Sequence, residues 1–281
     1  MTLPPELTEG HPLFGVGYAL PHRARPFERL EEGVRTPGSA EVAEEVPVAF
    51  VYNGHAHVVM MATPADLEDF AVGFSLSEEI VARAADIGEV RASPYSQGIE
   101  LAVTIPAAAA AALQRRGRQL VGQTGCGLCG VQTVSDALRP PRVVTAEWTL
   151  APEALWRAEA GLAMRQSLNR ATGAVHAAAW ATPDGEIRVL REDVGRHNAL
   201  DKVTGALARA GIDPSTGFCV MTSRASYELV QKAAAVGIPI LAAVSRPTGL
   251  AVRMAEACGM TLLALLRGRS VNVHAGGQRI V

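Results

Sequence analysis

The segment GQTGCGLCG, residues 122–130, places Cys126 and Cys129 three positions apart among four glycines. Paired cysteines at this spacing can ligate a metal, form a redox-active disulfide, or hold sulfur as a persulfide. A structural zinc site needs a second close pair of ligands, and the chain has no other C-x2-C pair. A deaminase zinc site needs an H-x-E motif, and none of the seven histidines is followed two residues later by a glutamate.

The glycines around the cysteine pair predict a mobile loop over residues 121–135, from which a thiol could reach two different partners. A short helix after Cys129 would help to hold a thiolate at either cysteine. The residues alone leave sulfur transfer and redox chemistry equally open, with metal binding less favoured. Cys219 and Cys258 stand singly in a predicted strand and a predicted helix, which indicates core positions.

Three predicted strand-to-helix junctions each carry an arginine beside small hydroxyl or amide residues. Strands of an α/β sheet end at a common edge, where ligands bind, and guanidinium groups and helix N-termini favour phosphate there. Serine and asparagine at these places are also ordinary helix caps. We predict a phosphate-binding edge from the junctions. In EDVGRHN (192–198), TSRAS (222–226) and SRPTG (245–249), its members are Arg196, His197, Ser223, Arg224, Ser245, Arg246 and Thr248.

The last predicted strand ends in LLRGRSVNVHAG, residues 265–276. Gly268, between two arginines, would let the backbone approach a ligand closely, although a solvated turn explains it equally well. His197 and His274 are candidate proton donors near the same edge, although a single histidine is more often structural.

Three segments of the chain, each with its own pattern, indicate the elements that hold these residues. Residues 1–40 are rich in proline, glycine and charge with little periodicity, which indicates a loosely packed lead-in. Residues 41–120 predict a small α+β domain, with a β-hairpin over Asn53-Gly54 and a helix that packs on it. In residues 136–281 strands and helices alternate, which predicts an α/β domain with a mostly parallel sheet.

Composition narrows the class of protein. The 281 residues are 48% hydrophobic and 19% charged, as in a globular chain with a substantial core. A formal charge of −2 gives no basic excess for nucleic acid or a membrane surface. The first residues lack the pattern of a signal peptide, no apolar run is long enough to span a membrane, and four cysteines do not make a disulfide framework. We therefore expect a cytoplasmic protein.

Five segments resemble the FdhD family, the sulfur carriers required for formate dehydrogenase activity. They are GCGLCG, LREDVGRHNALDK, TSRASYELVQKAA, SRPTGLAVRMA and GRSVNVHAG, in order along the chain. The resemblance runs from about residue 35 to the C-terminus. It implies that the C-terminal domain is similar to the three-layer cytidine deaminase fold, without the deaminase zinc.

The resemblance also implies a reaction and its partners. A cysteine desulfurase would supply persulfide sulfur to the C-x2-C loop, with Cys126 as the persulfide cysteine and Cys129 assisting. The protein would sulfurate the molybdenum bis(molybdopterin guanine dinucleotide) cofactor before its insertion into formate dehydrogenase, and GDP or GMP would mimic a fragment of it. The family is dimeric. Its cofactor-binding stretch corresponds here to Leu265, Leu266, Arg267, Gly268, Arg269 and Ser270.

Two alternatives to a sulfurtransferase stay open. One is a non-catalytic chaperone that binds the molybdenum cofactor at the arginines and uses its cysteines only as ligands or protection. The other is a nucleotide-binding redox protein with a stable disulfide between Cys126 and Cys129.

Overall fold

The computed structural model describes residues 15–118 and 142–281. The predicted cysteine loop over residues 121–135, with Cys126 and Cys129, therefore lies outside the described residues. No helix in the described ranges is long and apolar enough to cross a membrane.

After a short 3-10 helix at Val16–Tyr18, the described chain forms a long hairpin. Strands β1 (His22–Glu31) and β2 (Val34–Ala43) pair antiparallel over ten residues each. The lead-in predicted for residues 1–40 is thus more regular than expected from residue 22 onward. Nearly every residue of both strands is exposed. A hairpin with solvent on both faces carries no alternation of apolar and polar residues, so periodicity could not reveal it.

The N-terminal domain is a four-stranded sheet, in the order β4-β3-β6-β5, with a helix on one face. The predicted hairpin over Asn53-Gly54 is confirmed, with both turn residues at positive φ. Phe50 packs against Phe70 and Phe74 of the covering helix, with ring centroids 5.0 and 4.4 Å apart. The elements are β3 (Val46–Tyr52), β4 (His55–Ala62), α1 (Leu67–Ser77), β5 (Val90–Tyr95), β6 (Gly98–Val103) and α2 (Ala107–Arg118).

The C-terminal domain is a six-stranded sheet, in the order β12-β11-β10-β9-β7-β8. With the smaller N-terminal domain it confirms the predicted two-domain α/β class. The helices are α3 (Pro152–Arg165), α4 (Ser167–Thr172), α5 (Arg196–Arg209), α6 (Tyr227–Ala235) and α7 (Gly249–Cys258). The strands are β7 (His176–Ala181), β8 (Ile187–Asp193), β9 (Phe218–Met221), β10 (Ile240–Ala243), β11 (Thr261–Arg267) and β12 (Ser270–Ala275).

The sheet of this domain is mixed rather than mostly parallel. Only β9, β10 and β11 pair parallel, and β7 and β12 run antiparallel to their neighbours. Both exceptions come from hairpins, because a tight turn reverses the chain. Since β8 is antiparallel to β7, it runs in the same direction as β9. The carboxyl ends of β8, β9, β10 and β11 therefore lie at one edge.

The six-stranded sheet is covered on both faces. Helices α5, α6 and α7 pack on one face, around Leu200, Val230 and Met254. Helix α3 packs on the other face through Leu155 and Leu162. This gives three layers, with an apolar core on each side of the sheet.

The two domains meet where α1 crosses α5. A Cβ atom on Gly73 would collide with the carbonyl oxygen of Asp201, and one on Gly205 would collide with that of Asp69. The helix backbones can come this close only because both positions are glycine.

Buried charges flank this crossing. The Lys232 Nζ lies 2.9 Å from Asp201 Oδ2 and 2.7 Å from Glu78 Oε1, and Ser77 Oγ donates to Asp201 Oδ1 at 2.5 Å. Because Ser77 and Glu78 belong to the N-terminal domain, these bonds join the two domains. Each buried charge has a partner, as burial requires.

We expect Gly205→Ala to lower the free energy of unfolding by about 3 kcal/mol, because the added methyl group meets backbone rather than a side chain that can move. Urea unfolding measures this. The matched control is Gly161→Ala in α3, where the nearest atom is the end of the Ile187 side chain at 3.2 Å, so that little change follows. Equal stability of the two variants would contradict the close crossing.

Candidate functional site

The structure brings two of the three predicted junctions into direct contact. The Ala225 amide donates to the Arg246 carbonyl at 3.3 Å, and the Thr248 amide donates to the Ala225 carbonyl at 3.0 Å. The loops after β9 and β10 therefore run side by side, like two short strands. Arg224 and Arg246 are both exposed on them.

The third arginine comes from β8 and α5. Arg196 is the first residue of α5 and is half-buried. Burial lowers the pKa of Arg196, and the positive charge of Arg224 lowers it further. The two guanidinium groups therefore repel each other. The Arg196 Nε is shielded from solvent and has no hydrogen-bond partner among the described residues. An anion bound here would offset the repulsion between Arg196 and Arg224, and it would accept a hydrogen bond from the Arg196 Nε–H.

Helix capping accounts for only one of the junctions. Thr248 Oγ1 accepts from the Ala251 amide at 3.3 Å and caps α7. Gly195 and Ser226, the residues before α5 and α6, make no side-chain cap. The Ser226 Oγ instead lies 3.5 Å from His197 Nε2. Ser226 is therefore part of the edge rather than a simple cap.

A glutamate that the sequence reading missed sits beside His197. The Glu228 Oε2 lies 3.7 Å from His197 Nε2. The nearby imidazole of His197 lowers the pKa of Glu228 to about 2, and Ser226 adds to this against the effect of burial. Glu228 is thus an ionised carboxylate that orients the imidazole ring at the edge of the arginine cluster. Its place in the first turn of α6, next to the TSRAS junction, was the available signal.

His176 is a second residue that the sequence reading missed. It opens β7 and pairs in register with Asp193, the last residue of β8. Because β7 runs antiparallel, its beginning reaches the edge where the neighbouring strands end. A prediction that considers only the carboxyl ends of strands misses His176, because His176 lies at the beginning of its strand.

The turn after β11 lies at the same edge. Arg267 and Arg269 are exposed on either side of Gly268, which has a φ of 57°. Leu265 has a φ of 55°, a left-handed conformation that costs a non-glycine residue about 1–2 kcal/mol. The Leu265 amide donates to the Ser245 carbonyl at 3.2 Å, which ties this turn to the loop after β10. Ser270, exposed at the start of β12, pairs with Arg267.

Three residues predicted to lie at the arginine edge have side chains that are buried or lie elsewhere. Leu266 is fully buried in the core against α3. Ser223 is also buried, and its Oγ donates to the carbonyl of Arg224 at 3.0 Å. His274 lies between Val273 and Ala275, which pair with the first half of β11, so it lies toward the opposite edge from Arg267. The expectation that His274 lies near the arginines is wrong, because β12 runs back along the sheet.

Much of the segment EDVGRHNALDK is structural. Asp193 is fully buried and accepts from the Thr63 amide at 3.0 Å, from Asn198 Nδ2 at 2.9 Å and from Lys202 Nζ at 2.6 Å. Lys202 is also fully buried and donates to the Thr63 carbonyl. Only Arg196 and His197 of this segment turn toward the candidate site.

Cys219 and Cys258 are fully buried, which confirms them as core residues. Burial raises the pKa of the Cys219 thiol to about 12 and also raises that of Cys258. Neither thiol is ready to ionise at neutral pH, so neither serves as a nucleophile.

Residues 43–281 match the FdhD/NarQ family. The chain belongs to this family. It is 49% identical over 259 residues to the sulfur carrier protein FdhD of Cupriavidus necator, with 92% of this chain and 90% of that protein covered. It is 52% identical over 239 residues to the sulfur carrier protein FdhD of Xanthomonas euvesicatoria pv. vesicatoria, with 85% of each covered. The resemblance seen in the sequence is therefore confirmed.

A solved structure shows the same fold. The crystal structure of a proposed formate dehydrogenase accessory protein from Desulfotalea psychrophila superimposes with a TM-score of 0.77. It covers 93% of this chain and all of that chain, at 24% sequence identity. The FdhD/NarQ chain thus shares its fold with this protein.

Direct titration checks the environment of Glu228. Its lowered pKa means that it favours the folded state above the unfolded value of about 4.5, and that this contribution is lost as the pH falls toward 2. We expect the carboxyl carbon of Glu228 to titrate near pH 2 by NMR. The stability difference between the wild type and Glu228→Gln, about 1 kcal/mol after solvent screening, should shrink over the same range. A midpoint near 4.5 would contradict the contact with His197.

Proposed function

We propose that this chain is a sulfur carrier that takes up persulfide sulfur on Cys126 and delivers it to a molybdenum cofactor held at the arginine edge. The observation that carries the proposal is the gathering of Arg196, Arg224 and Arg246 at one edge of the sheet, in a chain about half identical to proteins named sulfur carriers. The FdhD relatives support sulfur carriage, and the arginine edge supports a phosphate-bearing acceptor.

The first step is a thiol–persulfide exchange. The thiolate of Cys126 attacks the outer sulfur of a persulfide on a cysteine desulfurase. A new S–S bond forms on Cys126, the S–S bond on the donor breaks, and the donor cysteine leaves as a thiol. No net oxidation occurs, so the step needs no further reactant.

The second step needs two electrons, because the carried sulfur must become sulfide. Attack by Cys129 on the Cys126 sulfur releases hydrosulfide and leaves a Cys126–Cys129 disulfide, so the cysteine pair supplies both electrons. The hydrosulfide is the sulfur that the cofactor receives. A dithiol reductant then restores the pair.

The acceptor is the molybdenum bis(molybdopterin guanine dinucleotide) cofactor, written here as the substrate. Its phosphates are the groups that guanidinium forks and helix N-termini bind best. Arg196, Arg224 and Arg246 follow β8, β9 and β10, so they are spread along about 14 Å at a strand spacing of ~4.8 Å. Such a row suits an extended ligand with several phosphates. Arg267 and Arg269 continue it.

The partners follow from the two steps. A cysteine desulfurase donates the sulfur, and apo-formate dehydrogenase receives the sulfurated cofactor. We further propose that the protein acts as a homodimer in the cytoplasm. The competing function is a chaperone that holds the cofactor at the same arginines and transfers no sulfur.

Mass spectrometry separates the carrier from the chaperone. After incubation with a cysteine desulfurase and cysteine, the peptide spanning residues 122–130 should gain the mass of one sulfur atom. Cys126→Ser should abolish the gain, because it removes the accepting thiol. Cys219→Ser is the matched control: it alters a buried thiol and should leave the gain intact. No gain in Cys129→Ser, in which the carried sulfur cannot be expelled, would favour the chaperone. A wild-type Cys126–Cys129 disulfide that forms equally well without the desulfurase would favour a redox protein.

Nucleotide binding tests the arginine edge independently of sulfur. We expect the protein to bind GDP, and Arg224→Ala or Arg246→Ala to weaken binding about tenfold, the cost of one charge-assisted hydrogen bond. Arg157→Ala, on the exposed side of α3 across the sheet, should leave affinity unchanged. Calorimetry measures all three. Failure of the wild type to bind GDP at millimolar concentration would remove the support for a cofactor site here.

A further inference from the structure

His176 stands between two of the three arginine-bearing junctions. In the sheet order, β7 lies between β8, which leads to Arg196, and β9, which leads to Arg224. His176 pairs with Asp193 on the β8 side. On the β9 side, the next residue, Ala177, exchanges hydrogen bonds with Thr222, at 2.9 Å to its Oγ1 and 3.1 Å from its amide.

The side chain of His176 lies on the face of the sheet that carries the arginine-bearing helices. Alternate residues of β7 point to opposite faces. Ala178 and Trp180 belong to the core under α5, α6 and α7, whereas Ala177 and Ala179 belong to the core under α3. His176 shares the parity of Ala178. It therefore faces the starts of α5 and α6, where Arg196 and Ser226 lie.

The charged groups around His176 are mostly positive. Arg196 and His197 of α5 act on His176 directly, and Arg224, from the loop after β9, acts on Arg196. From α6, the negative charge of Glu228 is directed at His197. From β8, the carboxylate of Asp193 is already paired with Lys202. No described residue forms an ion pair with His176.

We infer that His176 is the proton-linked member of the anion site: an anion that binds beside Arg196 and Arg224 brings a proton onto this imidazole. The inference rests on the proposed phosphate site and extends it. The proton turns a neutral ring into a further positive charge facing the ligand. Phosphate binding at this edge is thereby coupled to pH.

The sign of the coupling follows from the surroundings. In the free protein, burial and then the charges of Arg196 and His197 lower the pKa of His176 below its usual value. A bound anion neutralises part of that field and raises the pKa again. Anion binding therefore favours the protonated form of His176. The affinity for the anion rises as the pH falls through the pKa that His176 has in the bound state. Each unit of pKa change is worth tenfold in affinity between high and low pH.

Calorimetry near pH 6.5, with GDP as the probe and buffers of different ionisation enthalpy, counts the protons taken up on binding. GDP titrates in this range itself, so His176→Gln is compared with the wild type and the ligand contributes equally to both. We expect the wild type to take up a fraction of a proton more than His176→Gln, and the two affinities to converge near pH 8.5, where both side chains are neutral. His55→Gln, at an exposed turn of the N-terminal domain, should behave as the wild type does.

A measurement on the unmodified chain protects against misfolding of the variant. NMR titration of the His176 ring should give a midpoint below 6.5 in the free protein and a higher one with saturating GDP. If GDP binds but neither the proton count nor the midpoint depends on His176, the inference is wrong and the phosphate site stands. If neither GDP nor pyrophosphate binds from about pH 5.5 to about pH 8.5, the phosphate site and the inference both fail.

Discussion

The position of the candidate site depends on one buried carboxylate, that of Asp193. It accepts hydrogen bonds from the backbone of Thr63, from Asn198 and from Lys202, and it also accepts from the Gly195 amide at 2.7 Å. These four donors come from the N-terminal domain, from the turn after β8 and from α5. A buried carboxylate must be satisfied in this way, because an unpaired charge in a core is costly. The same bonds therefore set the start of α5, and with it the direction of Arg196 and His197.

The two domains act as one support for that arrangement. The glycine crossing of α1 and α5 and the ion pairs of Asp69 with Arg191 and Arg209 hold the N-terminal domain against the helix that carries the site. The N-terminal domain supplies none of the candidate ligand-binding residues. Its contribution is to complete the buried network under α5, the helix that begins with Arg196 and His197.

The segment EDVGRHNALDK shows how one stretch of chain serves two purposes. The helical repeat turns Arg196 and His197 to the edge, whereas Asn198, Asp201 and Lys202 are buried against the sheet and the neighbouring domain. From the sequence alone, all of these polar residues are equally good candidates for ligand binding. Burial divides them, because a polar side chain that is fully paired inside the protein cannot also receive a ligand. The Ser223 side chain is buried in the same way, and the Leu266 side chain is an apolar part of the core.

Local pattern was enough to predict most elements. The Asn53-Gly54 hairpin, the helix that packs on it and the alternation of strands and helices in the C-terminal domain agree with the structure, because turn chemistry and periodicity act over a few neighbouring residues. The arginine junctions and the core cysteines were also visible in the sequence.

The direction of each strand was not visible in the sequence, and it decided which histidines lie at the candidate site. The antiparallel path of β7 brings His176 to the site, and that of β12 takes His274 away, since sheet pairing joins residues far apart in the chain. The contact of His197 with Glu228, 31 residues later, likewise exists only once α5 and α6 pack side by side.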